Sequence, residues 1–186
     1  LLLPNVREAC PENIAPTTST TMQLALGDAL AMTVMEMRGV TRKDLRKLHP
    51  AGAIGLALTP VQEVMATDQD RLPLVSHQAD MPKTISVMTS GCFGLAGVLD
   101  DAGRIIGVIT DGDLRRHFGT LETALAHEVM TRAARFISAD MLADEALTFL
   151  NDNKINAAFV VEDPSAGPQL PLGVIHIHDL LRLGLG

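Results

Sequence analysis

Four groups of residues in this sequence have the types and spacing to do chemistry. Glu8 and His49 are a carboxylate and an imidazole, the side chains that move protons near neutral pH. Residue type alone does not separate Glu8 from a solvated loop carboxylate, or His49 from a histidine at a helix end. Thr17-Thr18-Ser19-Thr20-Thr21 gathers hydroxyls where a helix should begin, a pattern that caps the helix and also offers hydroxyls and free N–H groups to a phosphate. Capping is the commoner use. Thr110 with Asp113, then Arg115 and Arg116, places an acid three residues after a polar side chain, with cations following; His176, Asp179 and Arg182 repeat the arrangement. Thr110 and the aspartates read as caps of the helices that follow, and the arginines could neutralise a phosphate or carboxylate, although isolated cations on a short helix are usually solvated. His176 and His178 share one face if a strand runs through them, which invites a metal. No cysteine or third histidine stands at ligand spacing and Asp179 should already open a helix, so no metal is expected.

These sets fall at matching places in two copies of one pattern. Val64-Met65 recurs as Val129-Met130, and Gly107 to Arg116 recurs as Gly173 to Arg182, at separations of 65 and 66 residues. Between the anchors each copy carries a helical stretch (Lys83 to Gly91, Asp144 to Asn153), an apolar strand (Leu95 to Leu99, Ala157 to Val161), a turn, a second strand and a terminal helix. Asp100-Asp101-Ala102-Gly103 makes the turn in the first copy. The second has instead the loop Glu162 to Pro168, rich in Pro, Gly and Ser, which no strand ladder accommodates.

Before the repeats, Leu1-Leu2-Leu3-Pro4 reads as a buried strand without a partner, and a chain opening on Leu1 reads as a piece of a longer one. The stretch Met22 to Met37 is apolar on nearly every face and stops at Gly39, which predicts a buried helix. Thr41 and Asp44 then open a shorter helix that ends in the loop from His49 to Gly55. With 186 residues, 47% of them hydrophobic, the chain has ample material for a core. A net charge of -7 and the absence of Trp and Tyr argue against nucleic-acid binding. Cys10 and Cys92 lack the spacing of a metal site or a disulfide scaffold and read as small buried thiols in a reducing cytoplasm. No apolar run has the length of a membrane span. Met65, Met81, Met88, Met130 and Met141 read as core filler.

The repeats, each ending in a Gly-hydrophobic-hydrophobic-polar strand end and an Asp-led helix, resemble a pair of CBS domains. The N-terminal residues Glu8-Ala9-Cys10-Pro11, Ala15 to Thr21, Gly27-Asp28-Ala29-Leu30 and His49-Pro50-Ala51-Gly52 resemble the end of the sugar isomerase (SIS) domain in the arabinose-5-phosphate isomerase family. The resemblance implies an α/β fold: a tandem CBS pair preceded by the C-terminal fragment of a Rossmann-like, flavodoxin-like SIS domain, with boundaries at 1–55, 61–128 and 129–186. Ala51 stands where that family usually has a second glycine. The implied activity interconverts ribulose 5-phosphate and arabinose 5-phosphate on the route to Kdo and lipopolysaccharide, with no cofactor. Glu8 would be a base or proton carrier and His49 a ring-opening acid/base. The family's catalytic lysine, another glutamate and most sugar-phosphate contacts belong to earlier SIS strands, so this stretch alone should be inactive. The CBS cleft, with Thr110, Asp113, Arg115, Arg116, His176, Asp179 and Arg182, would take a nucleotide such as CMP-Kdo or an adenine nucleotide. A homotetramer is implied. The competing expectations are a nucleotide-sensing module without catalysis and a SIS-type sugar-phosphate sensor without turnover.

Overall fold

The computed structural model of the protein describes residues 2–50, 52–68 and 72–185; Leu1 and Ala51 lie outside the described residues. The chain divides into two compact units, Leu1–Leu45 and Arg46–Gly186.

In the first unit the backbone forms neither helix nor strand from residue 2 to residue 17. The expected opening strand is therefore corrected: Leu2 is fully exposed, and among the described residues no strand precedes Leu74 that could satisfy its N–H and C=O groups. Helix α1 (Thr18–Met37) follows. Its burial is a second correction, because none of its residues is buried and Leu24, Leu30, Met32, Val34 and Met37 are exposed. A helix apolar on all sides buries itself only against another apolar face, and residues 2–45 contain no sheet to supply one. The helix stops as expected: Gly39 takes φ 62°, and the N–H groups of Gly39 and Val40 bond back to the carbonyls of Glu36 and Met35 at 3.0 and 3.1 Å. Helix α2 (Arg42–Leu48) opens on the Thr41/Asp44 capping box, in which the Thr41 N–H donates to Asp44 Oδ2 at 3.0 Å.

The second unit continues with α3 (Ala53–Ala57) and a 3-10 turn at Val61–Glu63, and then lays down the repeats. The first consists of β1 (Leu74–Ser76), α4 (Met81–Gly91), β2 (Leu95–Leu99), β3 (Ile105–Thr110) and α5 (Asp111–Arg116). After α6 (Ala126–Val129) the order returns as β4 (Ile137–Ser138), α7 (Ala143–Asp152), β5 (Ala157–Val161), β6 (Gly173–His176) and α8 (Ile177–Arg182). Each repeat makes a three-stranded sheet whose first pair is parallel and second pair antiparallel. β2 and β5 are the central strands and almost wholly buried, which is why both read as uninterrupted apolar runs. α4 starts where Asp80 Oδ1 accepts from the Lys83 N–H at 2.7 Å, with Pro82 in the first turn.

The leading segment of each repeat packs on the other repeat. Ala66 pairs with Val174 of β6, and Val61 donates to the Met141 carbonyl at 2.8 Å, so residues 61–66 belong spatially to the second sheet. In return Thr131 pairs with Val108 of β3, and Ala126 donates to the Ala79 carbonyl at 2.8 Å. The recurring Val-Met pairs are the plugs of this exchange. Val129 and Met130 are buried in the core of the first repeat, while Val61 is buried, with Val64 and Met65 against it, in the core of the second. Glycine is required opposite each plug: a Cβ on Gly107 would stand 2.8 Å from Met130 Sδ, and one on Gly173 only 2.5 Å from the Ala66 carbonyl oxygen. A third cluster, with Leu95, Ile105, Phe159 and Val174, draws on both sheets. The loop after β5 forms no ladder, as expected, but its Gln169 carbonyl accepts from the Ile105 N–H at 2.7 Å.

Candidate functional site

The exchange brings the matching ends of the two repeats around one cavity of about 560 Å³. Cys92 to Leu95, where α4 turns into β2, line it beside Lys154 to Ala158, where α7 turns into β5. Thr110 and His176, the equivalent strand ends, both face it. Asp113, Arg115 and Arg116 join from α5. Five of the seven expected cleft residues therefore meet; Asp179 and Arg182 are not in its lining. The lining also contains Asp111, Thr131, Arg135, Lys154 and Asn156, which no motif reading singled out.

Asp113 is the hub. It is only 2% exposed, and its carboxylate accepts from the Thr110 N–H (2.9 Å), Thr110 Oγ1 (2.7 Å), Thr131 Oγ1 (2.9 Å) and Arg116 Nη2 (2.5 Å). Burial pushes the Asp113 carboxyl up, but the bonds from Thr110, Thr131 and Arg116 together outweigh it and hold it below its ordinary value. Thr131 belongs to the exchanged segment, so this carboxylate ties α5 to the crossing chain as well as capping the helix.

The second repeat is looser. Asp179 Oδ2 accepts from the His176 N–H at 3.2 Å, and Arg182 Nη1 lies 3.8 Å from Asp179 Oδ1. The strand ends at His176, so His176 and His178 do not share a strand face; their rings stack with centroids 4.9 Å apart, and the His178 N–H donates to His176 Nδ1 at 3.1 Å. Burial, then the neighbouring His178, lowers the His176 pKa against the pull of Asp179.

Two backbone positions on the rim are left-handed without being glycine: Cys92 at φ 60° and Lys154 at φ 54°. They are equivalent, each three residues before its central strand. The reading of the cysteines as buried is corrected here, because Cys92 is exposed at the end of α4 and Cys10 is only half-buried.

The expected catalytic pair is divided between the units, Glu8 in the first and His49 in the second. Glu8 caps α1 from outside the helix. Its Oε2 accepts from the N–H groups of Thr17 (2.7 Å) and Ser19 (3.2 Å) and from Thr17 Oγ1 (3.1 Å). The hydroxyls of the 17–21 cluster serve otherwise: Thr20 and Thr21 donate back to the Thr17 carbonyl, and Thr17 makes no side-chain cap. Hydrogen bonds from Ser19 and Thr17 lower the Glu8 pKa to about 2. The helix terminus thus holds this carboxylate in the place a phosphate would take. His49 is exposed just after α2, and its carbonyl is the acceptor for the Gly52 N–H at 3.3 Å. A Cβ on Gly55 would overlap that carbonyl at 1.7 Å, so the loop closes on α3 only because residue 55 is glycine.

The CBS domain profile matches residues 61–119 and 126–186. Arabinose 5-phosphate isomerase KdsD of Pseudomonas aeruginosa is 40% identical over 183 residues, covering 96% of this chain and 55% of that protein. The chain spans about half the length of the curated relatives it matches. Among solved structures, a CBS domain pair in complex with 5′-methylthioadenosine and S-adenosyl-L-methionine superposes with a TM-score of 0.57 at 19% identity, over 68% of this chain and 96% of that one. CBSX2 in complex with AMP gives 0.57 at 20% identity, over the same shares, 68% and 96%. At these identities the likeness is one of fold.

Proposed function

From the premise that the chain belongs to the CBS domain family, carrying two CBS repeats, we propose that it is the regulatory part of an aldose-ketose isomerase that interconverts ribulose 5-phosphate and arabinose 5-phosphate. The 40% identity to an arabinose 5-phosphate isomerase extends over 96% of the chain and so takes in most of residues 1–55, and this observation carries the reading. Residues 1–55 would be the end of the SIS domain, with 61–128 and 129–186 the CBS repeats. His49 serves ring opening as acid/base. Glu8, held ionised by the donors at the start of α1, serves as the proton-accepting carboxylate, and loss of those donors would make it a stronger base. The sugar phosphate binds in the larger protein, which works in the cytoplasm, and the exposed apolar face of α1 is covered there by the rest of a homotetramer. No described helix is long and apolar enough to cross a membrane.

The cavity takes a nucleotide, CMP-Kdo or an adenine nucleotide, against Thr110, Arg115, Arg116 and His176, which line it. Solved relatives in fold hold AMP and adenosine derivatives. Asp113 is engaged by four donors, and a ribose hydroxyl reaches it by displacing one of them. A nucleotide-sensing module without turnover is the second reading, favoured by a cavity built wholly within residues 92–176.

Ribulose 5-phosphate turnover by the full-length protein, with CMP-Kdo titrated in, separates the two. The isomerase reading expects turnover that His49→Ala lowers about a hundredfold without unfolding the protein. Wild-type turnover in that variant removes His49 from the mechanism, and no turnover by the parent protein leaves the sensor.

A further inference from the structure

Lys154 occupies a place made for glycine. α7 ends with the Lys154 N–H on the Asn151 carbonyl and the Ile155 N–H on the Leu150 carbonyl, both at 3.0 Å, and with Lys154 itself left-handed at φ 54°. Glycine adopts that conformation freely, whereas an L side chain pays for it in steric strain. The cleft shows a reason for a cation there. Arg115, Arg116, Arg135 and Lys154 line the cavity against the two carboxylates of Asp111 and Asp113. Arg116 is paired with Asp113 at 2.5 Å, and among the described residues no ion pair is seen for Arg115, Arg135 or Lys154. Three cations thus face one remaining carboxylate in a protein whose net charge is -7. They come from three places, α5, the stretch between Thr131 and β4, and the end of α7, so both repeats contribute. Burial, which holds the His176 pKa below its ordinary value, favours the uncharged imidazole there.

We infer that the cleft selects a phosphate-bearing ligand with at least two negative charges, and that Lys154, with Arg115 and Arg135, is its receptor, retained in a left-handed position for its charge. The inference rests on the reading of the cleft as a ligand site. Cys92 supplies an internal control, being left-handed at the equivalent rim position of the first repeat without a positive charge.

The experiment measures the Kd of ATP, AMP and adenosine by calorimetry on the 186-residue chain, which contains the whole cavity, and on Lys154→Gly, Lys154→Asn and Cys92→Gly. ATP should bind at least about tenfold tighter than AMP, and adenosine weakest. Lys154→Gly and Lys154→Asn, both tolerated in the left-handed region, should weaken ATP about tenfold while leaving adenosine within about twofold. Cys92→Gly, which relieves the same backbone conformation without removing a charge, should weaken ATP less than either Lys154 variant, and both glycine variants should melt no lower than the parent protein. Adenosine binding as tightly as ATP, unchanged ATP affinity in the Lys154 variants, or a lower melting temperature in Lys154→Gly overturns the inference and leaves the cleft reading standing. If none of the three probes binds the parent chain, the inference falls, and the cleft reading then stands or falls on CMP-Kdo binding measured in the same way.

Discussion

The two repeats have the same order of elements and the same sheet topology, yet at the third residue of the central strand one has Gly97 and the other Phe159. A Cβ on Gly97 would lie 2.9 Å from Phe159 Cζ, so the ring of one repeat fills the hollow of the other. The same imbalance runs to the cleft, where the first repeat offers a buried, fully bonded Asp113 and the second an outlying Asp179. Equal backbones with unequal side chains specify one particular pairing of two unlike halves, since two glycines would leave a void and two phenylalanines would collide. Duplication supplies the frame, and the departures from symmetry supply the core and the site.

Breaking the central pair should have the largest effect. Phe159→Ala removes a fully buried ring and is expected to cost about 3–5 kcal/mol in denaturant unfolding. Adding Gly97→Ala should recover part of that loss, whereas alone it meets only the flexible ends of Leu74, Ile105 and Phe159 and should cost about 1–3 kcal/mol. Additive losses in the double variant would mean that the two positions do not share one space.

The aspartates should differ next. Asp113→Ala strands Thr110, Thr131 and Arg116 and is expected to cost about 2–3 kcal/mol, against about 1 kcal/mol or less for Asp179→Ala. Because the folded protein holds Asp113 below its ordinary value of 3.8, its contribution is complete above that pH and disappears as the solution becomes more acid. Asp113→Asn should accordingly flatten the fall of melting temperature below about pH 4. An unchanged acid limb would show that other carboxylates set it.

The exchange glycines sharpen the comparison further. Gly173→Ala drives its Cβ to 2.5 Å from a backbone oxygen, and Gly107→Ala to 2.9 Å from one, so both should destabilise by about 1–3 kcal/mol with Gly173 the worse. Equal losses would place the cost in the methionines instead. The smallest change makes the second repeat resemble the first. Replacing residues 163–169 by a short turn removes the Ile105–Gln169 bond and should cost about 1 kcal/mol, read as a small shift in midpoint.

Much of this frame is legible in the residues. β2 and β5 have the limits expected of them, because each is a closed apolar run, and α4 and α7 start within one or two residues of the expected places. β1 and β4 escape, being three and two residues long, too short to show a period. The Val-Met repetition marks two segments as alike, but likeness says nothing of which copy each packs upon. Glu8 acts as a cap nine residues ahead of Thr17, beyond the local window in which caps are read. Arg135 and Lys154 belong to no motif. The one signal for Lys154 was the missing glycine at the end of α7.

Exchanged segments also decide when the protein can fold. Residue 66 waits for residue 174, so the Met65 plug has no seat until roughly 100 further residues have left the ribosome, and such distant closure slows folding. Until then Val61, Val64 and Met65 travel uncovered, and the seat facing Gly173 does not yet exist. The first repeat is better placed, because Thr131 follows its partner Val108 closely in the chain. Synthesis therefore delivers a nearly closed first repeat carrying a loose leading strap, and β6, which emerges later, is the strand that fastens it.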